Sequence, residues 1–290
     1  MKKTALEKRK GLRKKLQKNP KLYDLGKKVF RNYQSSTHFL HALPDYLIIG
    51  AVKSGTTSMY SYLIQHPNIE PALTKQIHFF DQFYYRGTKW YKSNFPMKLS
   101  MNGKITGEAT PFYFIHPSAP ERIHKLIPNV KLIVMFRNPI DRAFSHYQME
   151  YRHEKEKYTF EEALENENKR LDGHFERLLN DSNYYNHDFF SHSYRYTGMY
   201  YDHLKRWMDV FPKKQFLIID SDQFNEEPDI WYNKTLKFLN QKEFHLEEYK
   251  KMKKAKYSPI NKDTRKNLQE FFEPYNEKLY KLVDFDFNWK

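Results

Sequence analysis

The sequence predicts an α/β protein built on a parallel, doubly wound sheet with helices on both faces. Three observations carry that expectation. Tyr46-Leu47-Ile48-Ile49, Leu132-Ile133-Val134-Met135-Phe136 and Phe216-Leu217-Ile218-Ile219 are continuous apolar runs without alternation, as strands covered on both faces require. Helical patterns lie between them, and strands alternating with helices make a parallel sheet. The first run also passes straight into a glycine-containing loop and then a helix, an arrangement that points backbone N–H groups at an anion.

The first helix is expected over Thr56 to Gln65, and another over Pro120 to Ile127 before the second strand. After that strand, Asn138 reads as an N-cap, Pro139 as the first helical residue and Asp141 as a first-turn acid. Thr159-Phe160-Glu161-Glu162 is a capping-box signature, and Tyr200 to Phe211 reads as the helix leading into the third strand.

The chain has 290 residues and 39% hydrophobic composition, enough for one large α/β domain. It contains no cysteine, which excludes a disulfide scaffold, a cysteine-based zinc site and a cysteine nucleophile. No run approaches the roughly 18 apolar residues of a membrane-spanning helix, and the start lacks a signal-peptide core, so a cytoplasmic protein is expected.

The formal charge of +15 is unevenly spread. Residues 1–32 hold 13 Lys and Arg against Glu7 and Asp24, a net +11, leaving +4 for the other 258. Residues 1–43 therefore read as a basic N-terminal arm and 44–290 as the folded domain. The arm reads either as a solvated basic helix pair broken at Pro20 or as a contact to an anionic membrane surface, with peripheral localisation. Nucleic acid is the less favoured partner.

The loop Gly50-Ala51-Val52-Lys53-Ser54-Gly55-Thr56-Thr57 has the design of a phosphate site, because the helix dipole adds to the converging amides. It differs from the nucleotide-triphosphate loop, which needs Lys directly after its second glycine. Here Thr56 holds that place and the lysine is Lys53. The second strand ends in Arg137 where a magnesium-holding Asp would stand. Asp220, closing the third strand, is the acidic residue left for a metal, and no metal is expected. Ser145 lies about two helical turns beyond Arg137, so both can reach one point above the sheet's carboxyl edge.

These segments resemble the family of sulfotransferases that use 3′-phosphoadenosine-5′-phosphosulfate (PAPS), with the heparan-sulfate-type and bacterial sulfotransferase-domain branch most similar. PDYLIIGAVKSGTTSMYSYLIQHP resembles the 5′-phosphosulfate loop, and KLIVMFRNPIDRAFSHYQM the 3′-phosphate segment. GMYYDHLKRW, FLIIDSDQF and the tail from Lys254 to Trp289 continue the likeness, which covers Pro44 to Trp289. The resemblance implies a P-loop-type three-layer fold and PAPS as co-substrate. It places Lys53 beside the bridging oxygen between phosphate and sulfuryl, and Ser54, Gly55, Thr56 and Thr57 around the 5′ phosphate. It puts Arg137 and Ser145 on the 3′ phosphate, and Lys254, Ala255, Lys256 and Tyr257 over the bisphosphate. Ala255 replaces the usual glycine, which hinders a left-handed backbone there.

On the acceptor side, relatives supply a Glu base from a Lys-Glu-x-His-Phe-Phe segment. This chain reads Lys75-Gln76-Ile77-His78-Phe79-Phe80-Asp81, and Gln76 is no base. His78, with Asp81 to orient it, is the expected base, and Glu108 the alternative. Ala109 stands where heparan-type enzymes carry Lys, which turns the expected acceptor from a polyanion toward a less charged carbohydrate, lipid-linked molecule or small alcohol. Gln76 also keeps open a catalytically idle domain that binds PAPS or a sulfated glycan.

Overall fold

The computed structural model describes residues 36–181, 183–250 and 258–289. The three apolar runs are strands β1 (Tyr46–Gly50), β4 (Lys131–Phe136) and β5 (Phe216–Asp220). Two more, β2 (Ile69–Pro71) and β3 (Ile105–Ala109), complete a five-stranded sheet of order β2-β3-β1-β4-β5 in which every neighbouring pair is parallel. Sequence patterning misses both added strands. β2 is only three residues long, and β3, Ile-Thr-Gly-Glu-Ala, has no apolar run. Gly107 in β3 is needed for packing, since a Cβ there would lie 2.5 Å from the Tyr46 carbonyl oxygen.

The principal helices are α1 (Thr56–Leu63), α2 (Gly87–Lys92), α3 (Lys98–Met101), α4 (Ala119–Leu126), α5 (Pro139–Arg152), α6 (Phe160–Leu171), α7 (Tyr200–Met208), α8 (Pro228–Phe238) and α9 (Lys262–Val283). The Asn138 side chain caps α5 by accepting from Ile140 N at 2.9 Å. The Thr159–Glu162 capping box opens α6. Among the described residues no helix is long and apolar enough to cross a membrane.

Side chains of β1 and β4 alternate in destination although not in polarity. Leu47 and Ile49, with Leu132, Val134 and Phe136, pack against Ile123 of α4, Leu204 and Trp207 of α7 and Leu279 of α9. Tyr46 and Ile48, with Ile133 and Met135, pack on the other face against Met59 and Leu63 of α1 and Tyr232 and Leu236 of α8. This is a three-layer α/β sandwich, and both sheet faces being buried is the reason the strands read as unbroken apolar runs. A smaller cluster, in which Ile140 and Tyr147 of α5 meet Phe160 of α6 and Phe272 of α9, anchors α5.

Strand order reverses at β1, whose neighbours are β3 on one side and β4 on the other. Chains leaving β1 and β4 at their carboxyl ends diverge there and open a crevice, the position where α/β sheets hold ligands. The Lys53 loop follows β1 and Arg137 follows β4, so topology delivers both to that point.

Candidate active site

Gly55 is the N-cap of α1, with φ of +88°, a left-handed conformation that glycine takes without strain. Thr56 and Thr57 open the helix, where amides have no intrahelical acceptor and the dipole is positive. Lys53 itself has φ of +68°, an uncommon state for a residue with a side chain. Its Nζ contacts Met149 Sδ of α5 at 3.7 Å. Burial pulls the Lys53 pKa below the ordinary lysine value; the Arg152, Arg137 and Arg142 guanidiniums add to this, and Glu150 opposes it. Lys53 thus lies in the field of three guanidiniums, Arg142 buried, Arg137 half-buried and Arg152 exposed, and that field favours an anion.

The two loops after β1 and β4 are tied together. The buried Tyr200 phenol donates to the Arg137 carbonyl at 2.9 Å and lies beside the Ser54 hydroxyl, which is itself buried without a hydrogen bond of good geometry. Ser145 is buried on α5. Arg142, fully buried on the same helix, donates through Nη2 to the Tyr194 carbonyl, while its Nε and Nη1 have no partner. A dense anion with oxygens to spare fits this donor set: two amides, hydroxyls of Ser54 and Thr57, and cationic nitrogens around them. Lys75 donates to Thr57 Oγ1, adding a fifth cation at the loop, and burial lowers its pKa to about 8.

His78 stands in the segment after β2, pinned to the carboxyl end of β3. Ile77 N donates to Glu108 Oε2 at 3.2 Å, and both Ile77 N and His78 N approach Thr110 Oγ1. His78 Nδ1 pairs with Asp81 Oδ2 at 2.8 Å, which leaves Nε2 as the ring nitrogen not engaged by Asp81. Burial pulls the His78 pKa down, but the Asp81 charge and hydrogen bond outweigh it and the net direction is up. His78 also has a left-handed backbone, φ of +55°.

Glu108 is placed differently. It is fully buried and accepts from the Tyr91 phenol at 2.9 Å, the Tyr113 phenol at 3.0 Å and the Thr110 hydroxyl at 2.6 Å. Burial raises its pKa to about 7 against the lowering effect of those bonds. Its geometry is that of a buttress for the His78 segment. Gln76 is exposed, and Ala109 is buried between strands.

Residue patterning nominated Lys53, Ser54, Gly55, Thr56, Thr57, Arg137 and Ser145, all on the loops or helix at the crevice, and His78 beside Asp81 on the adjoining segment. It missed Lys75, Arg142, Arg152 and Met149. Arg142, Met149 and Arg152 share α5 with Ser145, and spacing along that helix is the signal that could have found them. Lys254, Ala255, Lys256 and Tyr257, like the arm at residues 1–32, lie outside the described residues. Among those residues no group of three or more His, Asp or Glu side chains is arranged to hold a metal.

Residues 43–278 match the family model described as a sulfotransferase domain. The chain belongs to the sulfotransferase family. It is therefore an enzyme of the sulfuryl-transfer class, and its three-layer fold is the family's. It is 30% identical to a sulfotransferase of Alicyclobacillus acidocaldarius whose crystal structure superposes with a TM-score of 0.70, covering 84% of this chain and 97% of that one. A mouse heparan sulfate glucosamine 3-O-sulfotransferase 5 is 30% identical, over 90% of this chain and 80% of its own. The membrane-associated sulfotransferase kil1 of Dictyostelium discoideum is 27% identical, over 87% of this chain and 67% of its own.

Proposed function

We propose that this sulfotransferase moves a sulfuryl group from PAPS to a hydroxyl or amine of a carbohydrate or other small or lipid-linked acceptor. PAPS supplies the activated sulfuryl group; the chain's own residues hold it and manage charge and protons. Backbone amides of Thr56 and Thr57 with the hydroxyls of Ser54 and Thr57 take the 5′ phosphate, and Arg137 with Ser145 takes the 3′ phosphate. Lys53 neutralises the charge that grows on the leaving phosphate as the sulfur–oxygen bond breaks. His78 Nε2 takes the acceptor's proton, with Asp81 fixing the tautomer through Nδ1. Glu108 orients the His78 segment through Ile77 and Thr110.

The observation that carries this reading is the field of Arg137, Arg142 and Arg152 on Lys53, in the loop that opens a helix at the sheet's switch point. A carbohydrate acceptor is supported by the 3-O-sulfotransferase relative, whose acceptor is a glucosamine of heparan sulfate. Isothermal titration with adenosine 3′,5′-bisphosphate, the spent donor, tests donor binding, and mass-shift assay against an acceptor panel tests turnover. Wild type binds and turns over; Lys53→Ala retains the fold and loses roughly 100-fold or more in turnover. Absence of bisphosphate binding by wild type overturns the donor assignment, and wild-type turnover by the variant overturns the role of Lys53. Binding without turnover across the whole panel identifies an idle binding domain instead.

A further inference from the structure

Away from the crevice, the described chain has a second edge built from two stretches without acidic residues of their own, and it combines exposed apolar side chains with lysines. Residues 82–104 contain Arg86, Lys89, Lys92, Lys98 and Lys104 and neither Asp nor Glu, and residues 33–44 are likewise free of carboxylates. The two stretches are joined. His41 and Met97 form an antiparallel bridge, Ala42 N donates to the Pro96 carbonyl at 2.9 Å, and His41 Nδ1 pairs with the Phe95 carbonyl at 2.6 Å. That seam sets Phe39, 61% exposed, and Leu99 of α3, 91% exposed, on one edge of the molecule. Lys89 and Lys98 are exposed there too. Two carboxylates that border it are engaged: Glu70 with Lys104 Nζ at 2.7 Å, and Asp45 with the Thr106 amide at 2.9 Å. The described residues begin beside this edge at Ser36, and in sequence residues 1–32 carry a net +11.

From these observations we propose that this edge docks on an anionic lipid bilayer, with Phe39 and Leu99 entering the headgroup layer and the lysines facing its phosphates. Cations alone would serve any polyanion. Two large apolar side chains held out into water do nothing for a soluble polyanion, whereas at a bilayer they leave water while the lysines keep their charge at the headgroups. The edge lies at the amino ends of β1 and β3, because His41 to Asp45 leads into β1 and Asn102 to Lys104 into β3. The Lys53 loop is at the opposite, carboxyl edge. A docked molecule therefore holds its crevice toward the aqueous phase and takes acceptors presented from there.

Co-sedimentation of the full chain with vesicles tests the docking, using phosphatidylcholine alone and phosphatidylcholine with about one third phosphatidylglycerol. Wild type partitions to the anionic vesicles, less so as salt rises, and not to the neutral ones. The double variant Phe39→Asp with Leu99→Asp partitions at least about tenfold more weakly, with an unchanged melting temperature because both side chains are exposed. Wild-type partition by that variant overturns the proposal by assigning binding to charge alone. So does failure of the full chain to sediment with anionic vesicles, whether it binds a soluble polyanion or self-associates through this edge instead. None of these readouts depends on PAPS chemistry.

Discussion

Lys53 and His78 are both held in left-handed backbone, a state found elsewhere among the described non-glycine residues at Asn102, Glu154, Asn240, Asp284 and Asn288. Asn, Asp and His are the side-chain residues found most often in it, whereas Lys has no such local preference, so at Lys53 surrounding structure must favour it. At His78 the contacts that hold the segment are Ile77 to Glu108 and the Asp81 pair. This gives Asp81 a testable task. The His78 pKa is raised above 6.5, so a base at Nε2 gains activity only as pH climbs through that raised value. In Asp81→Asn the two largest raising influences vanish, and burial, which lowers, remains with only the weaker pull of Glu108 against it. The acid limb of kcat/KM then moves to lower pH, and the plateau rate drops roughly tenfold or more as the ring loses its tautomer. Stability moves in a defined direction too: a raised histidine pKa contributes stability that is fully present below the unfolded value and is lost as pH rises through the folded one. Asp81→Asn is therefore most destabilised in acid. An unshifted pH–rate profile would remove His78 from the proton path.

Helix α5 links packing to the site. Its start is set by Asn138 and Pro139, one residue beyond Arg137, and its length carries Arg142, Ser145, Met149 and Arg152 past the crevice. Asn138→Ala removes the bond to Ile140 N and is expected to destabilise by about 1 kcal/mol, lowering the melting temperature by about 2–4 °C. Bisphosphate affinity falls along with it, because Arg137 and Ser145 lose their common frame; calorimetry and thermal melts check both. Helices such as this were readable from sequence, since caps, a first-turn proline and an apolar stripe are local signals. The strands buried on two faces were readable for the same reason. β2 and β3 were not: the Thr106, Gly107 and Glu108 of β3 answer to neighbours, a backbone approach by Tyr46 and hydroxyls from Tyr91, Thr110 and Tyr113, that no local pattern records. The site divides along the same line. Loop residues carrying a motif were readable, whereas Lys75 on Thr57 and the guanidiniums around Lys53 become neighbours only when the sheet brings β1, β3 and β4 side by side.

Across the whole molecule, the cations at the crevice oppose one another. Lys53 feels Arg137, Arg142 and Arg152, and His146, buried on α5, is driven well below the usual histidine range by burial and then by Arg142 and Lys53. The folded chain carries this repulsion in a region partly withdrawn from water, where salt screens it little. An anion that fits must then stabilise the fold as a whole, since ligand binding to the native state adds RT ln(1 + [L]/Kd) to its stability. Adenosine 3′,5′-bisphosphate at about 100 times its dissociation constant contributes about 2.7 kcal/mol, which corresponds to a rise of about 5 °C or more in melting temperature for a chain of this size. Comparison ligands make the result specific. Adenosine 5′-monophosphate lacks the group assigned to Arg137 and Ser145 and should give a clearly smaller shift at equal concentration. Arg137→Ala should reduce the bisphosphate shift to that of the monophosphate while leaving the monophosphate shift itself in place. If the two nucleotides stabilise wild type equally, the 3′-phosphate assignment fails and the crevice reads only one phosphate, at the helix N-terminus behind Lys53.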